Sequence, residues 1–193
     1  MQKIVLASTS PYRRVLLAKL GLEFETASPN FDETPQPGES PAALAMRLAQ
    51  GKARALAETY NNHLIIGGDQ VAWLPPDTIF SKPGDFASAF QQLSACSGQT
   101  LTFYNGLCLL NSKTGRVQAA VEEFRVRFRP LREAQIRRYL EREQPYDCAG
   151  SFKAEGLGIT LFQGMEGRDP NALIGLPLML LTDFLHNEGV ELP

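Results

Sequence analysis

The sequence predicts an α/β fold built on a mixed sheet, and three observations carry that prediction. A continuous apolar run, Ile4–Ala7, stops at Ser8-Thr9-Ser10-Pro11 and leads at once into a helical pattern. Phe124, Val126 and Phe128 alternate with Arg125, Arg127 and Arg129, the period of a strand with one buried face. Between these two segments strand and helix patterns interleave, the order that lays helices against a sheet.

Taken in order, Lys3–Ala7 reads as a buried strand, β-branched at Ile4 and Val5. Ser10 is an N-cap and Pro11 suits the first helical turn, with Leu16, Leu17 and Leu20 as the buried stripe and Gly21 as the stop. Leu22–Thr26 alternates as a strand. Residues 28–39 form a Pro-rich acidic loop, a functional connection rather than a domain linker because periodic structure resumes at once. Ser40-Pro41 opens a second helix carrying Leu44, Leu48, Leu56 and Tyr60 at multiples of four. Leu64–Gly67 is expected as a short strand, with Asp69 just past its Gly67-Gly68 end. Ala87–Cys96 reads as a helix, Thr100–Leu110 and Arg116–Phe128 as strands joined by a turn, and Leu131–Glu143 as a helix. Ile159–Phe162 is expected as a strand, and Leu176–Asn187 as a helix that ends near Gly189. No internal repeat or low-complexity tract interrupts this order.

The 193 residues are 44% apolar and 21% charged, enough for a packed core and unlike a disordered chain. Nineteen Lys and Arg against 21 Asp and Glu leave a net charge of −2, so no global field draws in nucleic acid or a membrane. A polyanion must be held by a local cluster of cations. Cys96, Cys108 and Cys148 form no C-x-x-C pair, which suits a reducing compartment and packing roles. The apolar run near the N-terminus is too short for a signal core, and Leu176–Leu181 is far below spanning length. The expectation is a cytoplasmic protein with no membrane partner.

No G-x-x-x-x-G-K-[ST], G-x-G-x-x-G or H-E-x-x-H motif occurs, and His63 and His186 have no triad setting, so a covalent mechanism is not expected. Ser8-Thr9-Ser10-Pro11-Tyr12-Arg13-Arg14 instead brings backbone N–H groups, hydroxyls and two guanidiniums to one strand–helix junction, the donors a phosphate chain requires. The plain alternative is an N-cap followed by two solvated arginines. Lys52 weighs against it. On a wheel starting at Leu44, Leu48 falls near about 40°, Lys52 near about 80° and Leu56 near about 120°, so the lysine lies inside the apolar stripe. It either snorkels outward or points into a polar cavity. With Glu33 and Asp69 as acids and Arg13, Arg14, Lys52 and Lys82 as cations, the residues suggest a site for a metal and a phosphoanhydride. The arginines from Arg125 to Arg142 alternate with apolar residues or have acidic neighbours, and read as a solvated face rather than a nucleic-acid surface.

These motifs, together with Asp32-Glu33-Thr34, Lys52-Ala53, Gly68-Asp69-Gln70, Lys82-Pro83, the stretch Ala149 to Gly156 and the stretch Asp169 to Pro177, resemble the Maf family of nucleotide pyrophosphatases. They look most like its branch acting on 7-methylguanosine triphosphate. The resemblance runs from the first strand to the last helix. It implies one domain over residues 1–193, an elongated mixed sheet with flanking helices and a central cleft between two lobes, and often a homodimer. It also implies a divalent cation (Mg, Mn or Co) and cleavage between the α and β phosphates. Carried over by position, Asp69 looks like the general base and, with Glu33, a metal-site carboxylate. Ser8, Ser10, Arg13, Arg14, Lys52 and Lys82 look like phosphate ligands, and Tyr12, Gln70 and Glu155 match the positions that set base choice. Ser81 stands where the family pattern carries glycine, and Tyr12 where tryptophan also occurs. The alternatives are a dTTP or UTP pyrophosphatase of the same fold, and a non-catalytic nucleotide-binding regulator of division.

Overall fold

The computed structural model describes residues 2–193. Its elements are β1 (Lys3–Ala7), α1 (Pro11–Ala18), β2 (Phe24–Ala27), α2 (Pro41–Ala55), β3 (His63–Leu74), β4 (Thr78–Phe80), α3 (Phe86–Cys96), β5 (Thr100–Asn111) and β6 (Arg116–Phe128). They continue with α4 (Glu133–Glu143), a 3-10 turn (Leu157–Leu161), β7 (Phe162–Glu166), α5 (Pro170–Ile174) and α6 (Leu178–Asn187). The strands make one mixed sheet in the order β2-β1-β3-β5-β6-β7, with β4 paired to β3. β1 runs parallel to both β2 and β3, while β4 and β7 pair antiparallel with β3 and β6.

The chain divides into two compact units. The first comprises Met1–Gln70, Asn105–Glu122 and Asp169–Pro193; the second comprises Val71–Tyr104 and Glu123–Arg168. In the first unit the sheet carries a core on each face. Leu6, Leu64, Ile66, Leu107 and Leu109 pack with Leu16 and Leu17 of α1 and Leu181 and Leu185 of α6. On the other face Val5, Ala7, Ile65 and Cys108 meet Ala49 and Ala53 of α2. The small α2 residues let that helix come close. A Cβ on Gly67 would collide with the carbonyl oxygen of Ala49, and one on Gly106 with that of Ala45. In the second unit Phe152 sits edge-on against Phe103, Phe128 and Phe162, with centroids 4.8–5.7 Å apart, and α3 packs against α4.

The caps read from the sequence are present. Ser10 and Ser40 each accept from the backbone N–H three residues on, with Pro11 and Pro41 opening the helices. Phe124, Val126 and Phe128 are buried while Arg125, Arg127 and Arg129 are exposed. Four expectations need correction. β3 does not end at Gly67-Gly68 but runs on to Leu74, so Asp69 lies inside a strand rather than past one. Gly67 marks the close approach of α2, not a strand end, although the parallel ladder with β1 does stop at Ala7 opposite Gly67. α2 ends at Ala55, leaving Tyr60 in the following turn. Residues 157–161 form a 3-10 turn, and the strand begins at Phe162. The last helix starts at Leu178, with Pro177 in extended backbone as its N-cap, after the separate short helix α5 that Asp169 caps. Among the described residues no helix is long and apolar enough to cross a membrane.

Candidate active site

Lys52 is the centre of the first unit's polar cluster. The sequence places it within the apolar stripe of α2, and the structure leaves it 7% exposed. Rather than snorkel, its Nζ donates to Asp69 Oδ1 at 2.7 Å and lies 2.9 Å from Glu33 Oε2. One ammonium thus bridges two carboxylates. Asp69 is 8% exposed, whereas the Glu33 side chain is 56% exposed. Burial raises the Asp69 carboxyl above the ordinary range; Lys52 and Arg13 oppose that shift, and the Glu33 charge adds to it.

Two devices hold Glu33 over Lys52. The Phe31 ring lies across Gly51, where any Cβ would collide with it. Arg47 of α2 donates to the Thr34 carbonyl at 3.0 Å and pairs with Glu39 through Nε and Nη2 at 2.7 and 2.8 Å. Asp32 accepts from the backbone and side chain of Thr34, and those bonds hold its carboxyl below the usual range. The loop between β2 and α2 is therefore pinned at both sides of Glu33. Sequence reading passed over Phe31, Gly51 and Arg47. The spacing of Gly51 beside Lys52 was the available signal.

The β1–α1 junction supplies the cations. Ser8 Oγ accepts from Ser10 N at 3.1 Å and from Arg13 Nη1 at 3.5 Å, and Ser10 Oγ accepts from Arg13 N at 3.4 Å. Both hydroxyls thus organise the helix start. Arg13 Nε donates to the carbonyl of Gly175 at 2.9 Å. Desolvation pulls its guanidinium down from the usual value, against the attraction of Asp69 and Glu33. Arg14 is exposed and lines a separate groove of about 750 Å³ with Ser8, Ser10, Phe24 and Thr26. Tyr12 is half-buried at the second position of α1.

Gln70 follows Asp69 along β3, so its side chain leaves the opposite face of the sheet. Its Nε2 donates to Asn105 Oδ1 and to the carbonyls of Ala172 and Leu173 at 3.0–3.1 Å. Asn105 is fully buried and donates to the Glu122 carbonyl. With both its N–H groups committed to these acceptors, the Gln70 amide offers only Oε1 to anything else. No local pattern in the sequence points to Asn105.

Lys82 and Glu155 belong to the second unit, and both are exposed. Lys82 lies between β4 and α3, where Gly84 adopts φ 76° and donates to the Tyr146 carbonyl. Glu155 lies in a turn held by Lys153 N on the Tyr139 hydroxyl and by Leu157 N on Glu143 Oε2. Gln92 of α3 ties these two loops together. Its Nε2 donates to the Ser81 carbonyl at 3.0 Å, and its Oε1 accepts from the buried Ser151 hydroxyl at 2.7 Å.

Among the described residues no group of three or more His, Cys, Asp or Glu side chains converges as a metal cluster. Glu33 and Asp69 nevertheless meet Lys52 through one oxygen each, Oε2 and Oδ1, so that the ion pairs do not use Glu33 Oε1 or Asp69 Oδ2. Two hard carboxylates suit Mg²⁺ or Mn²⁺, which take one or two protein carboxylates and complete their shell with phosphate and water. The donor set fits.

One buried acid, one exposed acid and a buried lysine meeting beside a mixed α/β sheet give a site with the charges that phosphoanhydride chemistry uses. The chain belongs to the Maf family, whose model, described as Maf-like protein, matches residues 3–188. It is 57% identical over 190 residues to the 7-methyl-GTP pyrophosphatase of Alcanivorax borkumensis, covering 98% of this chain and 96% of that protein. It is 55% identical over 186 residues to the 7-methyl-GTP pyrophosphatase of Nitrosococcus oceani, covering 96% and 93%.

Proposed function

We propose that this protein hydrolyses 7-methyl-GTP to 7-methyl-GMP and diphosphate. The observation that carries the reading is the convergence of Glu33, Lys52 and Asp69, in a chain more than half identical over nearly its whole length to proteins named for that activity.

In this mechanism the oxygen of a water attacks the α phosphorus and the bond to the α–β bridging oxygen breaks. Asp69 takes the water's proton, and diphosphate leaves with the bridging oxygen. Burial makes Asp69 a better base than a surface aspartate. Arg13, whose Nε is fixed on Gly175, turns its remaining N–H groups to the phosphates. Lys52 and Lys82 offset the charge that grows on the leaving diphosphate. Glu33 and Asp69 would hold a divalent cation, which would supply Lewis-acid polarisation when bound. Ser8 and Ser10 set the helix start, and Arg14 adds positive charge beside it.

Base choice follows from charge. Methylation at N7 makes the guanine ring cationic, so an aromatic face at Tyr12 and a carboxylate at Glu155 favour it. Gln70 contributes an acceptor. The same reading carries a cytoplasmic location and a homodimer, which fractionation and sedimentation measure directly.

The test is a panel of 7-methyl-GTP, GTP, dTTP and UTP assayed for diphosphate release with and without chelator. Preference for 7-methyl-GTP that chelator abolishes supports the reading. Preference for dTTP or UTP overturns its substrate, and steep salt-dependent DNA binding without hydrolysis supports a division regulator instead.

A further inference from the structure

Lys52 has an arrangement that phosphate binding alone does not require. Its ammonium is buried and makes direct ion pairs with both acids, 2.7 Å from Asp69 and 2.9 Å from Glu33, while the Arg13 guanidinium adds a second attracting charge. These are the same two carboxylates that a divalent cation would use. A charge of +1 held against both of them repels an incoming +2 charge, and the burial of Lys52 and Asp69 limits solvent screening on their side of the pair, although Glu33 is exposed. The reach of Lys52 is also restricted. It projects from the last turn of α2, which packs tightly on β3, and the Glu33 loop is held beside it by Phe31 on Gly51 and by Arg47.

We propose that Lys52 is the built-in counterion of the Glu33–Asp69 pair, so that this protein binds a divalent cation weakly by itself and strongly only together with a polyphosphate that draws the ammonium off the carboxylates. The inference rests on the metal-dependent reading above and adds an order of events. The phosphate chain takes up Lys52, the two carboxylates lose their internal cation, and the divalent ion gains a site of net negative charge. Free metal is excluded from the acid pair until nucleotide is present. The exchange involves only ionic contacts; no covalent bond is made or broken in it.

The experiment titrates Mn²⁺ into the nucleotide-free protein, reading free Mn²⁺ by electron paramagnetic resonance, for the native chain and for Lys52→Met. The variant is expected to bind Mn²⁺ at least about tenfold more tightly, while inorganic diphosphate improves Mn²⁺ binding less in the variant than in the native chain. Equal affinity within about twofold, weaker binding by the variant, or no Mn²⁺ binding by either protein overturns the proposal. Should Lys52→Met fail to fold, Lys52→Gln is read in the same way. The native protein gives an independent measurement through the ¹⁵Nζ resonance of Lys52, assigned by its loss in Lys52→Arg. That resonance should stay unchanged with Mg²⁺ alone at low concentration and shift when diphosphate is added with it. A resonance that shifts fully with Mg²⁺ alone overturns the proposal. The nucleotide panel scores the functional reading separately, because a chain inactive on 7-methyl-GTP would still report its Mn²⁺ affinity.

Discussion

Arg13 Nε donates to the carbonyl oxygen of Gly175 at 2.9 Å, joining residues 162 positions apart. Gly175 caps α5 at φ 126°, a conformation that side-chain-bearing residues rarely adopt, and the start of α5 is in turn capped by the buried Asp169. The guanidinium is thus aimed by backbone rather than by an acid. Lysine at position 13 keeps the charge and loses that donor. Arg13→Lys is expected to lower kcat/KM by on the order of tenfold to a hundredfold, about 1.4–2.7 kcal/mol of transition-state stabilisation. Gly175→Ala should act through the same bond, so steady-state kinetics of the double variant should show less than the sum of the two losses.

Asp69→Asn removes the proposed base and should cut kcat by on the order of a hundredfold or more, leaving the circular dichroism spectrum unchanged. It also reports on stability. The native Asp69 carboxyl lies above its unfolded value because burial outweighs its cationic partners. Between those two values the folded form holds more protons than the unfolded one. Native stability relative to the variant therefore falls as pH rises through that window and recovers on acidification. Urea midpoints in chelator should show the native chain gaining stability relative to Asp69→Asn as pH is lowered towards the carboxylate range. A native chain that loses ground to the variant on acidification contradicts the assignment.

Gly67→Ala and Gly106→Ala force a methyl group against the backbone of α2 at Ala49 and Ala45. Each should destabilise the fold by about 1–3 kcal/mol, read as a lower denaturant midpoint. Because α2 carries Lys52, activity should fall further than stability alone explains, most visibly as a loss of kcat.

Glu155→Gln leaves a neutral acceptor where a carboxylate would meet the methylated purine. The ratio of kcat/KM for 7-methyl-GTP over GTP is expected to drop by about tenfold, in the range of a hydrogen bond to a charged group. Gln92→Ala frees both the Ser81 carbonyl and the Ser151 hydroxyl, loosening the Lys82 and Glu155 loops together. It should raise KM for 7-methyl-GTP and lessen the same preference, although Gln92 itself takes no part in the chemistry.

The thiols offer a check on the packing. Burial pushes Cys96 up to about 12 and Cys108 up to about 11, while Cys148 is half-buried. A disulfide reagent at pH 8 should modify Cys148 quickly and the other two only after denaturation. Rapid modification of all three would contradict this packing.

Local chemistry made much of this chain legible from its residues. Ser10-Pro11 and Ser40-Pro41 cap helices because their hydroxyls satisfy backbone N–H groups within three residues. The arginine–apolar alternation of β6 is a two-residue period that needs no distant partner. The misplacement of Lys52 in an apolar stripe likewise marked a polar interior. Tertiary structure alone decided the rest. Gly67-Gly68 punctuates a loop in most local contexts, yet here β3 continues through it, and Gly67 is glycine because α2 approaches too closely for a side chain. Whether Lys52 would snorkel or pair depended on Asp69, 17 positions away on another element, and on a loop pinned by Arg47. Gln92 meets Ser151 across 59 positions, and Arg13 meets Gly175 across 162. Periodicity and capping encode which way a residue faces over a turn or two of chain. Which charge it meets is set only when packing closes the long loops between elements.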